Sequence, residues 1–378
     1  MTVAFFLFCF LLSLVTTLDS YVEGSSANRL VTQSAVSLFV DLPRDYEHKI
    51  RSVPGVSEVT KFQYFGGYYQ DTSNYFAQFG IDPAVFFSMY SSDLQLLEVA
   101  GKNESEDHGK AVVRAMADER RSCVIGTGLV RDFGWKIGDL IPIIPTMFQK
   151  EDDSSWEFVV VGVYEATKSN VDERTLWFRY DYLSETMDAN DAMGPTGVGT
   201  FAINLDADVD PPTVIAGIDS LFENGPQRTM TTTEAAFQAA FVSMMGNVPM
   251  FVAMIGGAVV FAVFFSVINT MLMAARQRRR EAGILKALGY TDGALRRLML
   301  GESLLLGLLG GSMGIFLAKG SEAGMRLGMA TVLPNYAIEP ATLLWAIALA
   351  LFVGLVSGIA PALQLSRLNP TEAMRSEG

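Results

Sequence analysis

The side chains best placed to do chemistry lie between Arg276 and Arg297. Arg276, Arg278, Arg279, Arg280, Lys286, Arg296 and Arg297 share this stretch with two acids, Glu281 and Asp292. It separates two long apolar segments, and a short basic loop between membrane spans is held on the cytoplasmic side. Within it, Ile284, Leu285 and Leu288 recur at helical spacing, so Glu281 to Leu288 reads as a short amphipathic helix. Such a helix is a handle for something in the cytoplasm.

Other residues invite a catalytic or metal reading and fail it. Asp206, Asp208 and Asp210 have calcium-loop spacing, but Pro211 stands where the loop needs Gly and Gly217 where it needs a bidentate Glu. His48 and His108 are far apart and flanked by charges, with no ligand set nearby in sequence. Residues 19–247 hold no Gly-x-Ser-x-Gly elbow, and the chain has no Gly-x-x-x-x-Gly-Lys-[Ser/Thr] loop. ATP hydrolysis is therefore not expected of this chain, and no catalytic residue, metal site or cofactor is assigned to it. Cys9 lies in an apolar run and Cys123 in the polar region, so both read as unpaired thiols. Asn103-Glu-Ser105 is a glycosylation sequon only in a eukaryotic secretory setting.

Half of the 378 residues are hydrophobic and the net charge is −13. The charge is uneven. Residues 19–247 hold 17 basic and 34 acidic side chains, whereas the loop from Arg276 to Arg297 is net +5. An acidic bulk without a basic face excludes nucleic acid as a partner.

The elements that must position the basic loop are membrane spans. Gln238 to Ala275 carries no charge, and its core from Met250 to Ala274 exceeds the ~20 residues that cross a bilayer. Leu298 to Ala318 is interrupted only by Glu302, and Ala341 to Leu365 is uncharged. Met1 to Leu18 is also charge-free; at about 1.5 Å per residue it reaches about 27 Å. It lacks a positive n-region and a small-residue cleavage site, so a retained anchor is expected rather than a signal peptide. Glu302 sits about one turn inside the cytoplasmic end, within reach of Arg296 or Arg297.

The expected fold class is therefore membrane α-helical, with four transmembrane helices plus an α/β extracytoplasmic domain. The expected order is a first span at 1–18, an extracytoplasmic domain at 19–247, a second span at 248–275 and a cytoplasmic loop at 276–297. A third span follows at 298–318, then a short outer loop at 319–340, a fourth span at 341–365 and a cytoplasmic tail at 366–378. In the outer domain, strands are expected at Ala35 to Val40, Val56 to Tyr64, Leu140 to Ile144, Glu157 to Tyr164 and Thr200 to Leu205. Helices are expected at Arg44 to Ser52, Pro211 to Asn224 and Thr231 to Phe241, the last capped by its threonines. In the third span Gly307/Gly311 and Gly310/Gly314 are four apart, as are Gly354 and Gly358 in the fourth. This spacing serves close helix packing within a chain or a seam between two copies.

Taken together, the sequence resembles ABC-transporter permeases of the FtsX/MacB/LolC type. The resemblance rests most specifically on Arg278-Arg-Arg-Glu-Ala-Gly-Ile-Leu-Lys-Ala-Leu-Gly289, followed by the Glu302 and Gly-rich span. It extends to Pro361-Ala-Leu-Gln-Leu-Ser-Arg-Leu-Asn-Pro-Thr-Glu-Ala-Met-Arg375. In the outer domain, Val124 to Asp139 and Phe158 to Gly162 are similar to the family's periplasmic core. One departure is that the amphipathic cytoplasmic helix carried by such permeases before the first span is not seen, so a missing lead-in is expected.

The resemblance implies two permease copies pairing with two P-loop ATPase subunits that bind the ATP. Arg278, Arg279, Arg280, Glu281, Ile284, Leu285, Lys286, Leu288 and Gly289 would couple to the ATPase, with Ile284, Leu285 and Leu288 packing into its groove. It also implies the inner (plasma) membrane, a periplasmic location for the large domain, and a periplasmic adaptor or cargo. Two other readings compete: a membrane scaffold or sensor that regulates an extracytoplasmic partner without transport, and a membrane-bound enzyme. The second lacks any convergent catalytic set. The aromatic clusters Phe62 to Tyr69 and Tyr75 to Phe79 suit core packing at least as well as an apolar cargo.

Overall fold

The computed structural model describes all residues except 27, 103–105, 190–193, 195, 245–247, 330–335 and 367–378. The sequon at Asn103 and the tail from 367 thus lie outside the described residues. The chain forms two compact units, Asp19–Met244 and Met1–Leu18 with Met245–Gly378. The first helix, α1, covers Thr2–Glu23.

The α/β unit is built on one 11-stranded sheet. Its strands are β1 (Arg29–Ser34), β2 (Val56–Tyr64), β3 (Gly67–Tyr68), β4 (Ala77–Ile81), β5 (Leu94–Val99) and β6 (Ser122–Gly126), then β7 (Leu140–Pro145), β8 (Trp156–Ala166), β9 (Thr175–Arg179), β10 (Thr200–Leu205) and β11 (Thr229–Thr233). They run in the order β11-β1-β10-β2-β4-β9-β6-β8-β7-β3, with β5 also paired to β8. The helices are α2 (Tyr46–Arg51), α3 (Pro83–Met89), α4 (His108–Asp118), α5 (Thr127–Phe133), α6 (Tyr180–Ala189), α7 (Pro211–Leu221) and α8 (Glu234–Met244).

β8 is buried on both faces, which is why it reads as a near-continuous Val and aromatic run. Trp156, Phe158 and Val160 join one apolar cluster with Phe65 and Phe178. Val161 and Tyr164 join another with Phe86 and Trp177. Of the aromatics at 62–79, Phe65 and Phe76 are core and Phe62, Tyr69 and Phe79 pack against it: Phe65 stacks on Phe148 at 5.6 Å, and Phe62 meets Phe86, Tyr90 and Trp177 edge-on.

Two expectations shift. The first strand is Arg29–Ser34 rather than Ala35 to Val40. Leu30, Val31, Thr32 and Ser34 are buried, whereas Val36 and Phe39 stand out from the surface. The polar Arg29 and Gln33 had hidden the strand. Thr229 to Thr233 forms β11 rather than a helix start. The helix begins at Glu234, and only Thr233 caps it, its Oγ1 accepting the Ala236 N–H at 3.2 Å. At the outer edge of β11, Asp219 of α7 accepts the Thr231 N–H at 3.2 Å and the Thr229 and Thr231 hydroxyls at 2.9 and 2.7 Å.

The membrane unit contains α9 (Val248–Gln277), α10 (Arg279–Ala287), α11 (Asp292–Gly328) and α12 (Pro340–Ser366). With α1, four helices among the described residues are long and apolar enough to cross a membrane. α1 runs past Leu18 to Glu23, and its stretch apolar enough to span is Thr2–Ser20. α11 begins before Leu298 and continues past Ala318 to Gly328, so the start of the expected outer loop is helical. Lys319 pairs with Glu322 one turn on, which supports that extension.

The six glycines at four-residue spacing in the third and fourth spans each meet another helix of the same chain. A β-carbon at Gly307 would lie 2.8 Å from the Ala350 carbonyl oxygen, and one at Gly311 2.5 Å from Ala350 Cβ. Gly354 and Gly358 are met in turn by Ser303. On the other face of α11, Gly310 is covered by Met1 and Gly314 by Thr2, Phe5 and Phe6 of α1.

Candidate functional site

The basic segment folds as a corner, α9–α10–α11. Arg278 is the N-cap of α10: its N–H still bonds back to Ala274 O at 3.0 Å while its carbonyl accepts from Ala282. At the far end Gly289 adopts φ +95°, its N–H bonding to Lys286 O and the Tyr290 N–H to Leu285 O, both at 3.0 Å. This paired closure needs a left-handed residue, which explains the glycine. Thr291 Oγ1 then accepts the Ala294 N–H at 3.3 Å and opens α11.

The corner sorts the three expected apolar contacts into two directions. Leu285 turns inward against the cluster of Ala275, Ala282, Leu295, Met299 and Ala362. Ile284 and Leu288 point outward, 46% and 73% exposed, and Tyr290 joins them at 55%. Leu285 is therefore a packing residue of the corner itself. Helical spacing alone could not separate it from its neighbours. Tyr290 was missed because it lies beyond the glycine that ends the helix.

The charges also divide. Arg278 Nη1 pairs with Glu302 Oε2 at 2.6 Å. The partner of Glu302 is thus Arg278, at the α9–α10 turn, rather than the expected Arg296 or Arg297. Lys286 Nζ lies 2.7 Å from Asp292 Oδ1 and 2.6 Å from Ser366 O, tying α10 to α11 and α12. Arg280 and Glu281 are exposed, and the side chain of Arg279 lies outside the described residues. The outward surface is therefore an apolar strip of Ile284, Leu288 and Tyr290 beside exposed charge. No group of three or more His, Cys, Asp or Glu residues could hold a metal among the described residues.

In the α/β unit, burial pushes the Cys123 thiol up, so this cysteine is an inert core residue.

Comparison with known proteins agrees with this architecture. The model of the MacB-like periplasmic core domain matches residues 1–221, and that of the FtsX-like permease C-terminal region matches residues 253–370. The chain belongs to this family of ABC transporter permeases. It is a multi-pass protein of the inner (plasma) membrane with its α/β unit in the periplasm.

Among individual proteins, it is 34% identical over 148 residues to the pyoverdine export ATP-binding/permease protein PvdT of Pseudomonas syringae pv. syringae. That match covers 39% of this chain and 21% of PvdT. An uncharacterized ABC transporter permease of Methanocaldococcus jannaschii is 26% identical over 269 residues, 69% of this chain and 63% of that one. The chain thus spans less than two thirds of these relatives. The periplasmic region of MacB from Actinobacillus actinomycetemcomitans superposes with a TM-score of 0.40 at 11% identity, covering 58% of this chain and 95% of that one.

Proposed function

We propose that this chain is the permease subunit that carries ATP-driven movement from a separate P-loop ATPase to the periplasmic domain, for export or for lipoprotein or lipid handling. The observation that carries this is the outward apolar strip of Ile284, Leu288 and Tyr290 on a short helix between two spans. With the α/β unit outside, the single crossing of α9 brings this strip out on the cytoplasmic side. There, exposed large apolar side chains fit a protein groove. ATP is then bound by the partner subunit.

A second permease copy completes the assembly, and α9 is the span with most surface left for it. Of the four spans, it is the least buried within the chain. It also leaves Asn269 exposed in an apolar segment, where an amide gains from a hydrogen-bonding neighbour.

The test is capture of the ATPase by the solubilised, full-length permease. Leu288→Asp or Ile284→Asp is expected to weaken capture about thirtyfold, the loss of one interface anchor worth about 2 kcal/mol, with the four spans still assembled. Leu285→Asp is expected to damage the corner itself and is not diagnostic. Undiminished capture by both outward variants removes this docking surface. If the wild-type chain captures no ATPase, the scaffold or sensor reading gains.

A further inference from the structure

Arg29 opens β1 as a charged residue only 2% exposed. Its Nε lies 3.0 Å from Glu234 Oε2, its Nη1 donates to Met89 O at 3.2 Å, and its Nη2 donates to Asp93 Oδ2. Its guanidinium carbon sits 4.0 Å over the ring of Tyr90, whose hydroxyl reaches Glu234 Oε1 at 3.5 Å. Asp93, fully buried, also receives Lys168 Nζ at 2.6 Å and the Ser92 hydroxyl at 2.7 Å. Burial alone would raise the Asp93 pKa, but the bonds from Lys168, Arg29 and Ser92 hold it below the usual value. Two cations and two carboxylates close a neutral set.

What the set joins is more informative than its strength. The chain leaves α1 through residues 24–28 into β1, and it heads back toward α9 through α8, whose first residue is Glu234. Both passages meet in the cluster: the Ser26 N–H also donates to Glu234 Oε2 at 2.7 Å. The rest of the cluster belongs to the body of the domain, at the corner after α3 and the loop after β8. That loop holds the end of α1 too, Ser169 Oγ donating to Ser20 O at 2.8 Å. Well-packed apolar residues would hold such a site at least as stably as buried ions. Ions with fixed donor geometry add something apolar contacts lack, resistance to sliding in any direction.

We propose that Arg29, Asp93 and Glu234 form a transmission joint that locks both membrane passages to the α/β body, so that movement of the spans is delivered to the sheet. Arg29 and Glu234 act as positioning residues. The inference rests on the coupling function proposed above.

The test is amide hydrogen exchange on the full-length permease with its ATPase in lipid nanodiscs, nucleotide-free and trapped with ATP and vanadate. In the wild type, trapping is expected to change exchange both in α10 and in residues 89–99 and 167–173. In Glu234→Gln the α10 response is expected to persist and the response at 89–99 and 167–173 to be lost, with protection of β6 and β8 unchanged. The triple variant Arg29→Met/Asp93→Leu/Glu234→Leu keeps the site packed without ions and is expected to lose the same response. It covers the case in which Glu234→Gln fails to fold. A wild-type-sized domain response in a folded variant overturns the joint. A wild-type complex with no response in α10 overturns the parent function, and the joint with it.

Discussion

Asp172 shows how much a single residue can be asked to tolerate. Burial pushes its carboxyl up to about 6, against the Arg174 N–H and the Arg174 charge, while Glu173 and Asp132 add to the rise. Unfolding returns the group to its ordinary value near 3.8. Between those values the folded state holds more protons than the unfolded one, so stability falls as pH rises through this window. Above it, the penalty of a partly buried, ionised carboxylate remains. Asp172→Asn keeps the acceptor for Arg174 and removes the charge. It is expected to stabilise the α/β unit at pH 7.5 by up to about 3 kcal/mol, with the gain gone near pH 4. Thermal unfolding at the two pH values measures it; an equal effect at both would assign the gain to packing instead.

The same scale marks where reading the sequence stops. Ile284, Leu285 and Leu288 are equivalent by spacing, and only the packing of Ala275, Leu295 and Ala362 assigns Leu285 to the interior. The Arg29 cluster was not legible at all. Its partners lie 64 and 205 residues away, and in sequence Arg29 is one of many charges in an acidic domain.

At the scale of elements, the apolar runs and the glycine spacing were legible because both are local. Which partner each glycine meets was not, since Gly307 and Gly310 differ only by the face they occupy on α11. Gly311→Leu would drive side-chain atoms into Ala350, and Gly314→Leu into α1. Each is expected to cost 1–3 kcal/mol or more, roughly the range for overpacked cores, read by SDS titration in detergent. Gly301 and Gly320 of the same helix have open space around them. Alanine there is expected to be neutral, or to stabilise by up to about 1 kcal/mol through helix propensity. Similar losses at all four positions would refute the seam. Strands were legible where alternation or β-branching is dense, as in β2 and β8. β1 was misplaced because the exposed loop after it, residues 35–40, is the more apolar segment.

For the molecule as a whole, the α/β unit holds its own sheet and three apolar clusters, and the ion cluster that gathers its two membrane passages lies entirely inside it. Residues 19–244, produced alone, are expected to unfold in one cooperative transition, followed by near-ultraviolet circular dichroism. A molten spectrum would show that the unit needs its spans in order to fold. The sequence also separates a domain of net −17 from a loop of net +5.

The arrangement at the edge of β11 has a consequence for life on a crowded membrane. Domains hung from spans diffuse in two dimensions and meet often. A bare strand edge on each would offer a template for strand-to-strand zippering and, in time, aggregates. Asp219 fills the place that a neighbour's backbone carbonyl would take, occupying the Thr231 N–H and both flanking hydroxyls. A single carboxylate thus blocks strand pairing at the centre of this edge.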